Sequence, residues 1–375
     1  MRKICIVIDT LIQGGAHRVA CLQANSLQLR GYEVTLLFFV KPVGSLFSIN
    51  DKITQLHLLD CGLMEGSSIK NKIYRRVVIL PLLLRKLKQL SPDVIISHIQ
   101  GVNFYSIIAA NLLNVKIIVS EHTTHILPKN NLKNFFASIE RKYFYRLADH
   151  LTVLTQSELE FYLSEYSIKK AFYLPNPCPF EPLSEGDVSK LFDNREKYIL
   201  AVGDINRIEI KGWDTLIECF AEFDKKNPGW KLLFVGGSAN NSGLNKLTQM
   251  SEYYNIKDKV VFAGPSDDVE KFYRAAGMFV LSSRNEGFSM VIVEAMSQGC
   301  PVISFDCESG PGEIINNLED GLIIENQNKQ QMISAMLLLS NDIHLQKKLS
   351  LSGIVKAQKY SLDSYLNRLT TLIEG

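Results

Sequence analysis

The sequence predicts an α/β protein made of two Rossmann-like, doubly wound domains. Three observations carry that expectation. Short β-branched runs alternate with longer helical patterns along the whole chain, the pattern restarts near residue 198, and a proline-rich stretch precedes the restart. A length of 375 residues suits two cores of ordinary size better than one.

The chain opens M-R-K-I-C-I-V-I-D-T, basic and then apolar as a signal peptide would be, but Asp9 ends the run at once, so 4–8 is expected as a first strand. Further strands are expected over 34–39, 94–97, 116–120 and 151–154, with helices over 16–29 and 132–147. The second half repeats the pattern with strands over 198–203, 231–236, 259–263, 278–282, 301–305 and 322–324. Between the halves, residues 174–187 read L-P-N-P-C-P-F-E-P-L-S-E-G-D, with four prolines among turn formers. The expected organisation is a first domain over 1–175, a linker over 176–195, a second domain over 196–355 and a terminal helix over 356–375. That helix has an apolar side of Tyr365, Leu366, Leu369 and Leu372, and is expected to pack back on the first domain. Ligands of doubly wound sheets bind beyond the carboxyl ends of the strands, so two such domains are expected to face each other across one cleft.

Composition narrows the function classes. A net charge of +2 gives no global attraction to nucleic acid. The 7 cysteines are scattered and never form C-x-x-C, and no D-x-D pair occurs, so neither a disulfide framework, a zinc site nor a metal-bridged diphosphate is indicated. No cofactor or metal is expected, and a cytoplasmic location fits best. The longest apolar run, 77–84, falls far short of the ~20 residues that span a bilayer.

The most informative window is S-S-R-N-E-G-F-S-M-V-I-V-E-A-M-S-Q-G-C-P, residues 282–301, with Glu286 and Glu294 around an expected helix start. Ser289 is a good N-cap, Met290 and Val291 open the helix, and Gly299 with Pro301 end it. The first amides, on Met290, Val291 and Ile292, are expected to lack intrahelical partners and to point at an anion, with phosphate the obvious one. Two carboxylates flanking a phosphate, each able to accept from vicinal hydroxyls, suit the two sugars of a nucleotide sugar. A capped surface helix with two glutamates is the plainer alternative, which Gly287, Phe288 and the apolar V-I-V make less general.

Other candidates lie at strand ends. Gly14 and Gly15 follow the first strand and allow close approach of backbone N–H groups, although a simple turn explains them as well. Neither G-x-G-x-x-G nor a Walker loop is present. Gly203, Arg207 and Lys211 follow the first strand of the second half, and two cations there suit a diphosphate. His122 follows strand 116–120, and His98, a weaker candidate, follows 94–97. The glycine loop at 309–315 either adds amides to the same phosphates or is only a turn. Lys70, Lys72, Arg75, Arg76, Arg85, Lys86 and Lys88 surround the apolar 77–84, so that 70–88 reads equally as a contact with anionic membrane or as a domain helix with a basic face.

Together these residues resemble the retaining family-4 glycosyltransferases of the GT-B fold, of the kind that build bacterial surface polysaccharide. The carriers are the E-x7-E motif Glu286 to Glu294, G-G-A at 14–16, V-G with K-G between Val202 and Gly212, and L-P-N at 174–176. The resemblance implies a nucleotide-sugar donor, UDP-linked by default, held by the second domain. Glu294 would bind ribose, Glu286 the transferred sugar, and Arg207 with Lys211 the diphosphate, while His122 matches a histidine near the donor sugar. It also implies transfer with retained anomeric configuration, without metal, to a glycan or lipid-linked acceptor at the inner face of the membrane. Two departures stand out: Asp204 follows V-G where many members carry arginine, and His17 replaces the acid of G-G-A-E-R-V. A nucleotide-sugar 2-epimerase and a noncatalytic nucleotide-sugar-binding subunit are the alternatives.

Overall fold

A computed structural model of the chain describes residues 1–11, 14–42, 47–60, 69–124, 132–192, 194–237 and 240–375, and the backbone alone at 69–76, 132, 133, 135 and 136. The chain divides into two compact units, Met1–Asn176 with Tyr365–Gly375, and Pro177–Ser364.

Among the described residues the first unit holds seven parallel strands, β1 (Lys3–Ile8), β2 (Glu33–Val40), β3 (Thr54–Leu59), β4 (Val94–His98), β5 (Lys116–Ser120), β6 (His150–Val153) and β7 (Ala171–Tyr173), in the order β3-β2-β1-β4-β5-β6-β7. The order reverses between β1 and β4, which pair in register Ile4 with Val94 through Val7 with Ser97. The central strands read as V/I runs because helices bury both faces of them, and every residue of β4 is buried. Two strands were not expected. β3, T-Q-L-H-L-L, is an edge strand with only Leu59 fully buried, and β7 has three residues, so neither carries a continuous apolar signal.

The basic segment is a single helix, Ile69–Leu90, with Pro81 inside it. Ile79, Leu83 and Leu87 recur at helical spacing and are buried in the first unit's core, so they cover the sheet. The side chains of Lys70, Lys72, Arg75 and Arg76 lie outside the described residues. Among the described residues no helix is long and apolar enough to cross a membrane. Tyr365–Gly375 belong to the first unit, where Gln23 donates to the Tyr365 hydroxyl at 2.9 Å and Arg2 pairs with Glu374 at 3.2 Å.

Among the described residues the second unit holds six parallel strands, β8 (Glu196–Val202), β9 (Lys231–Val235), β10 (Val260–Gly264), β11 (Ala276–Leu281), β12 (Val302–Asp306) and β13 (Leu322–Glu325), in the order β10-β9-β8-β11-β12-β13. Its switch point lies between β8 and β11. One core face is built around Trp213, Phe220, Phe223 and Phe234. The expected linker is part of this unit: 177–192 is ordered in it and contains the helix Glu185–Leu191, capped by the Ser184 hydroxyl on Asp187 N–H. The unit also runs past 355, through the helix Ile343–Gln358.

Candidate active site

In the second unit the loops after β8 and β11 meet at the switch point, where doubly wound sheets bind ligands. The short helix Ile208–Lys211 ends on Gly212, at φ 65°, and the close approach there requires glycine: a Cβ would lie 2.0 Å from the Ser282 carbonyl oxygen. Ser282 Oγ donates to the Lys211 carbonyl at 2.9 Å, and Arg284 N–H donates to the Ile210 carbonyl at 2.8 Å. The Arg284 guanidinium adds a fork to Asp214 at 2.8 and 2.9 Å. These bonds fasten the loop at 282–286 to the helices on both sides of Gly212. Lys211 Nζ consequently lies 2.8 Å from Glu286 Oε1, with both side chains largely buried. Ser283 Oγ donates to the same oxygen at 2.6 Å.

The glycine loop after β12 completes this corner. Ser309 Oγ donates to the Glu286 carbonyl at 2.9 Å, and a Cβ on Gly310 (φ 95°) would lie 2.5 Å from the Gly287 carbonyl oxygen. The helix Met290–Ser297 starts where the sequence places it, but Ser289 does not cap it with its side chain, and Ser289 Oγ is buried without a partner among the described residues. Two of the three amides expected to point outward are occupied, Met290 N–H by the Phe288 carbonyl and Ile292 N–H by the Ser289 carbonyl, each at 3.0 Å. A tight turn at Phe288 replaces the expected serine cap, and Val291 N–H is the one of the three without a partner among the described residues. Glu294 is only 3 % exposed and accepts from the Tyr273 hydroxyl at 3.0 Å. Arg207 is exposed and lines a pocket with Asn206, Ser242 and Lys246. Asp204 makes a local turn, accepting Asn206 N–H at 2.9 Å, while its carbonyl accepts from Trp213 Nε1 at 3.1 Å. Gly203 abuts the same Trp213 ring.

In the first unit Gly14 precedes the helix Gly15–Leu29, and His17 in its first turn bonds Asp9 at 3.0 Å. His98 ends β4 at the switch point, and its Nδ1 lies 2.8 Å from Nε2 of His122, just beyond β5. Burial holds both imidazoles neutral, His98 well below the usual range and His122 pushed down to about 4. The turn carrying His122 hangs on Glu121, whose Oε1 accepts His122 N–H and Thr123 N–H, each at 3.0 Å.

The two halves of the chain match two glycosyltransferase families: residues 13–180 match Glycosyltransferase Family 4, and residues 185–354 match Glycosyl transferases group 1. The chain belongs to the family-4 glycosyltransferases of the GT-B fold. It is 25% identical, over 100% of both chains, to the amylovoran biosynthesis glycosyltransferase AmsD of Erwinia amylovora. It is 26% identical, over 92% of both, to the N-acetylgalactosamine-N,N'-diacetylbacillosaminyl-diphospho-undecaprenol 4-alpha-N-acetylgalactosaminyltransferase of Campylobacter jejuni. Among solved structures, Anabaena HepE in complex with UDP and glucose superposes with a TM-score of 0.79 at 16% identity, covering 100% of each chain, which shows the shared fold.

Several parts of this glycosyltransferase's candidate site escaped sequence reasoning. Tyr273 reaches Glu294 and the Ser309 hydroxyl reaches the Glu286 carbonyl from other elements, while Arg284 ties the Glu286 loop to Asp214, and no spacing in the sequence marks these contacts. Behind His122 lies a buried acid cluster. Burial alone would push the Glu121 carboxyl up, but the Arg141 guanidinium at 3.3 Å, with hydroxyl bonds from Thr123 and Tyr145, outweighs it and holds Glu121 below the ordinary range. The helix expected over 132–147 changes its winding here: Glu140–Phe144 is a π-helical turn and Tyr145–Leu147 a 3₁₀ turn, and Glu140, Arg141 and Tyr145 all reach the cluster.

Burial pushes Glu140 up to about 7, against the help of the Gly101 N–H bond. Between the unfolded and folded values the folded state holds a proton that the unfolded chain has lost. Glu140 therefore contributes stability below about pH 4.5 that disappears as pH rises through about 7. Glu140→Gln, which keeps an acceptor for Gly101 N–H, is expected to raise stability by about 1–3 kcal/mol near pH 8 and little near pH 5. Calorimetric melting at the two pH values checks this, and an equal change at both would show that ionisation of Glu140 is not the cause.

Proposed function

We propose that this glycosyltransferase is retaining and metal-independent. It moves a hexose or N-acetylhexosamine from a UDP-sugar to a glycan or lipid-linked oligosaccharide in surface-polysaccharide synthesis. The observation that carries the reading is the Lys211–Glu286 pair at the β8/β11 switch point, next to the start of the helix that bears Glu294. The ammonium carries three N–H donors and gives one to Glu286, so the others serve a diphosphate. Glu286 takes sugar hydroxyls, and Glu294 with Tyr273 takes the ribose. The names of AmsD and of the Campylobacter transferase support the polysaccharide and polyprenyl-linked acceptors, and HepE supports UDP.

In this reaction the anomeric carbon–oxygen bond to the diphosphate breaks as the acceptor oxygen bonds to the same face of the sugar. The acceptor's proton passes to the departing phosphate oxygen. Negative charge grows on that phosphate, and Lys211, Arg207 and Val291 N–H stabilise it, so no protein nucleophile is needed. Binding of UDP-, GDP- and ADP-sugars in the presence of EDTA is the test. One donor class should bind, and Glu294→Ala should weaken it by about 10–100-fold, as loss of hydrogen bonds to a charged group does. Absence of binding by every donor, or a product of inverted configuration, would overturn the reading.

A further inference from the structure

His122 stands at the end of a line of hydrogen bonds that begins far away in the sequence. Gln23 Nε2 donates to the Tyr365 hydroxyl at 2.9 Å, and Gln23 Oε1 lies 2.9 Å from His98 Nε2. His98 Nδ1 in turn lies 2.8 Å from His122 Nε2. All four side chains belong to the first unit. We propose that Gln23, His98 and Tyr365 are positioning residues that hold His122 in one tautomer, with Nδ1 presented as an acceptor to a sugar hydroxyl.

The proton positions follow from the chemistry of each group. An amide oxygen only accepts, so His98 carries its hydrogen on Nε2. Burial keeps His98 neutral, which leaves its Nδ1 a bare acceptor and requires His122 to donate from Nε2. His122 is neutral too, so its own Nδ1 holds only a lone pair. That atom is shielded from water and has no partner among the described residues. A buried acceptor left unmade costs stability that a merely structural histidine has no reason to forgo. Little freedom remains to relieve it: the two rings stack at 23° with centroids 5.0 Å apart, and Glu121 pins the backbone N–H of His122.

A lone pair of this kind accepts from a hydroxyl and repels a carboxylate or phosphate oxygen. The relay therefore selects a sugar with a free hydroxyl at that position over one with an acid there, since polar groups left unpaired discriminate strongly. This selection rests on the proposed glycosyl transfer, whereas the tautomer does not, and the experiment separates them.

The full-length protein labelled with ¹⁵N in its imidazole rings, with signals assigned through His98→Asn and His122→Asn, reports each tautomer in ¹H–¹⁵N correlation spectra. Both rings are expected neutral and protonated on Nε2 near neutral pH. Gln23→Leu should mix the tautomers of both rings and lower kcat at least about tenfold, the scale of a lost positioning contact, with donor KM changed less. Turning the Gln23 amide over would reverse all three bonds, so finding His122 protonated on Nδ1 overturns the proposal. So does a Gln23→Leu protein with unchanged ring signals. Spectra as expected in a protein that binds no donor sugar would leave the relay standing and remove the glycosyl-transfer reading instead.

Discussion

Lys211→Ala is expected to lower kcat for glycosyl transfer by about 10²–10³-fold, the loss typical of one donor aimed at developing negative charge. The substitution removes the ammonium 2.8 Å from Glu286 but leaves the Ser283 hydroxyl on the same carboxylate. The loop should keep its place, because Ser282 bonds the Lys211 carbonyl rather than its side chain. Single-turnover transfer gives the rate, and melting followed by tryptophan fluorescence shows whether the fold is intact. Both tryptophans, Trp213 and Trp230, lie in the second unit and report on it alone. A kcat within about tenfold of wild type would remove Lys211 from the chemistry. Arg207→Ala should cost less, because Arg207 is exposed.

Gly212→Ala acts on the same corner through the backbone. The residue sits at φ 65°, and a Cβ there would press to 2.0 Å from the Ser282 carbonyl oxygen, an atom that cannot swing aside as a side-chain tip can. Strain in the left-handed region and displacement of the 282–286 loop together should cost about 3 kcal/mol or more. For a unit of this size that is a fall in Tm of roughly 6–12 °C. The tryptophan melt reads it directly. The variant should also lose transfer activity at temperatures where it remains folded, since Lys211 and Glu286 would no longer meet. An unchanged melt would mean that the loop yields without cost.

Both predictions rest on a motif that the sequence displays openly. Glu286, Glu294 and the glycines between Val202 and Gly212 are local patterns, and the switch point that unites them follows from the alternation of strands and helices. The central strands were legible because burial on both faces makes them uninterrupted V/I runs. β3 and β7 were not, because an edge strand alternates with solvent or is too short to show a pattern. The cap on the helix at Met290 differs from expectation for a similar reason: Ser289 has the right chemistry, but its own carbonyl rather than its hydroxyl takes Ile292 N–H, one of the amides a capping side chain would bond. Least legible were the contacts between distant residues. Gln23 and Tyr365 are 342 positions apart, and Tyr273 reaches Glu294 from a neighbouring helix. Periodicity reports which face of an element is buried, not which side chain waits across the fold.

The return of Tyr365–Gly375 to the first unit orders events during synthesis. A ribosome that has released residues 1–176 has not yet made the segment that Arg2, Tyr32 and Gln23 grip. Pro177–Ser364 must emerge before it, so the amino-terminal domain waits, incomplete, while its successor is translated. A nascent or truncated chain thus lacks the tyrosine that the proposed relay uses to orient His122, so on that proposal the relay is complete only once the helix carrying Tyr365 has docked.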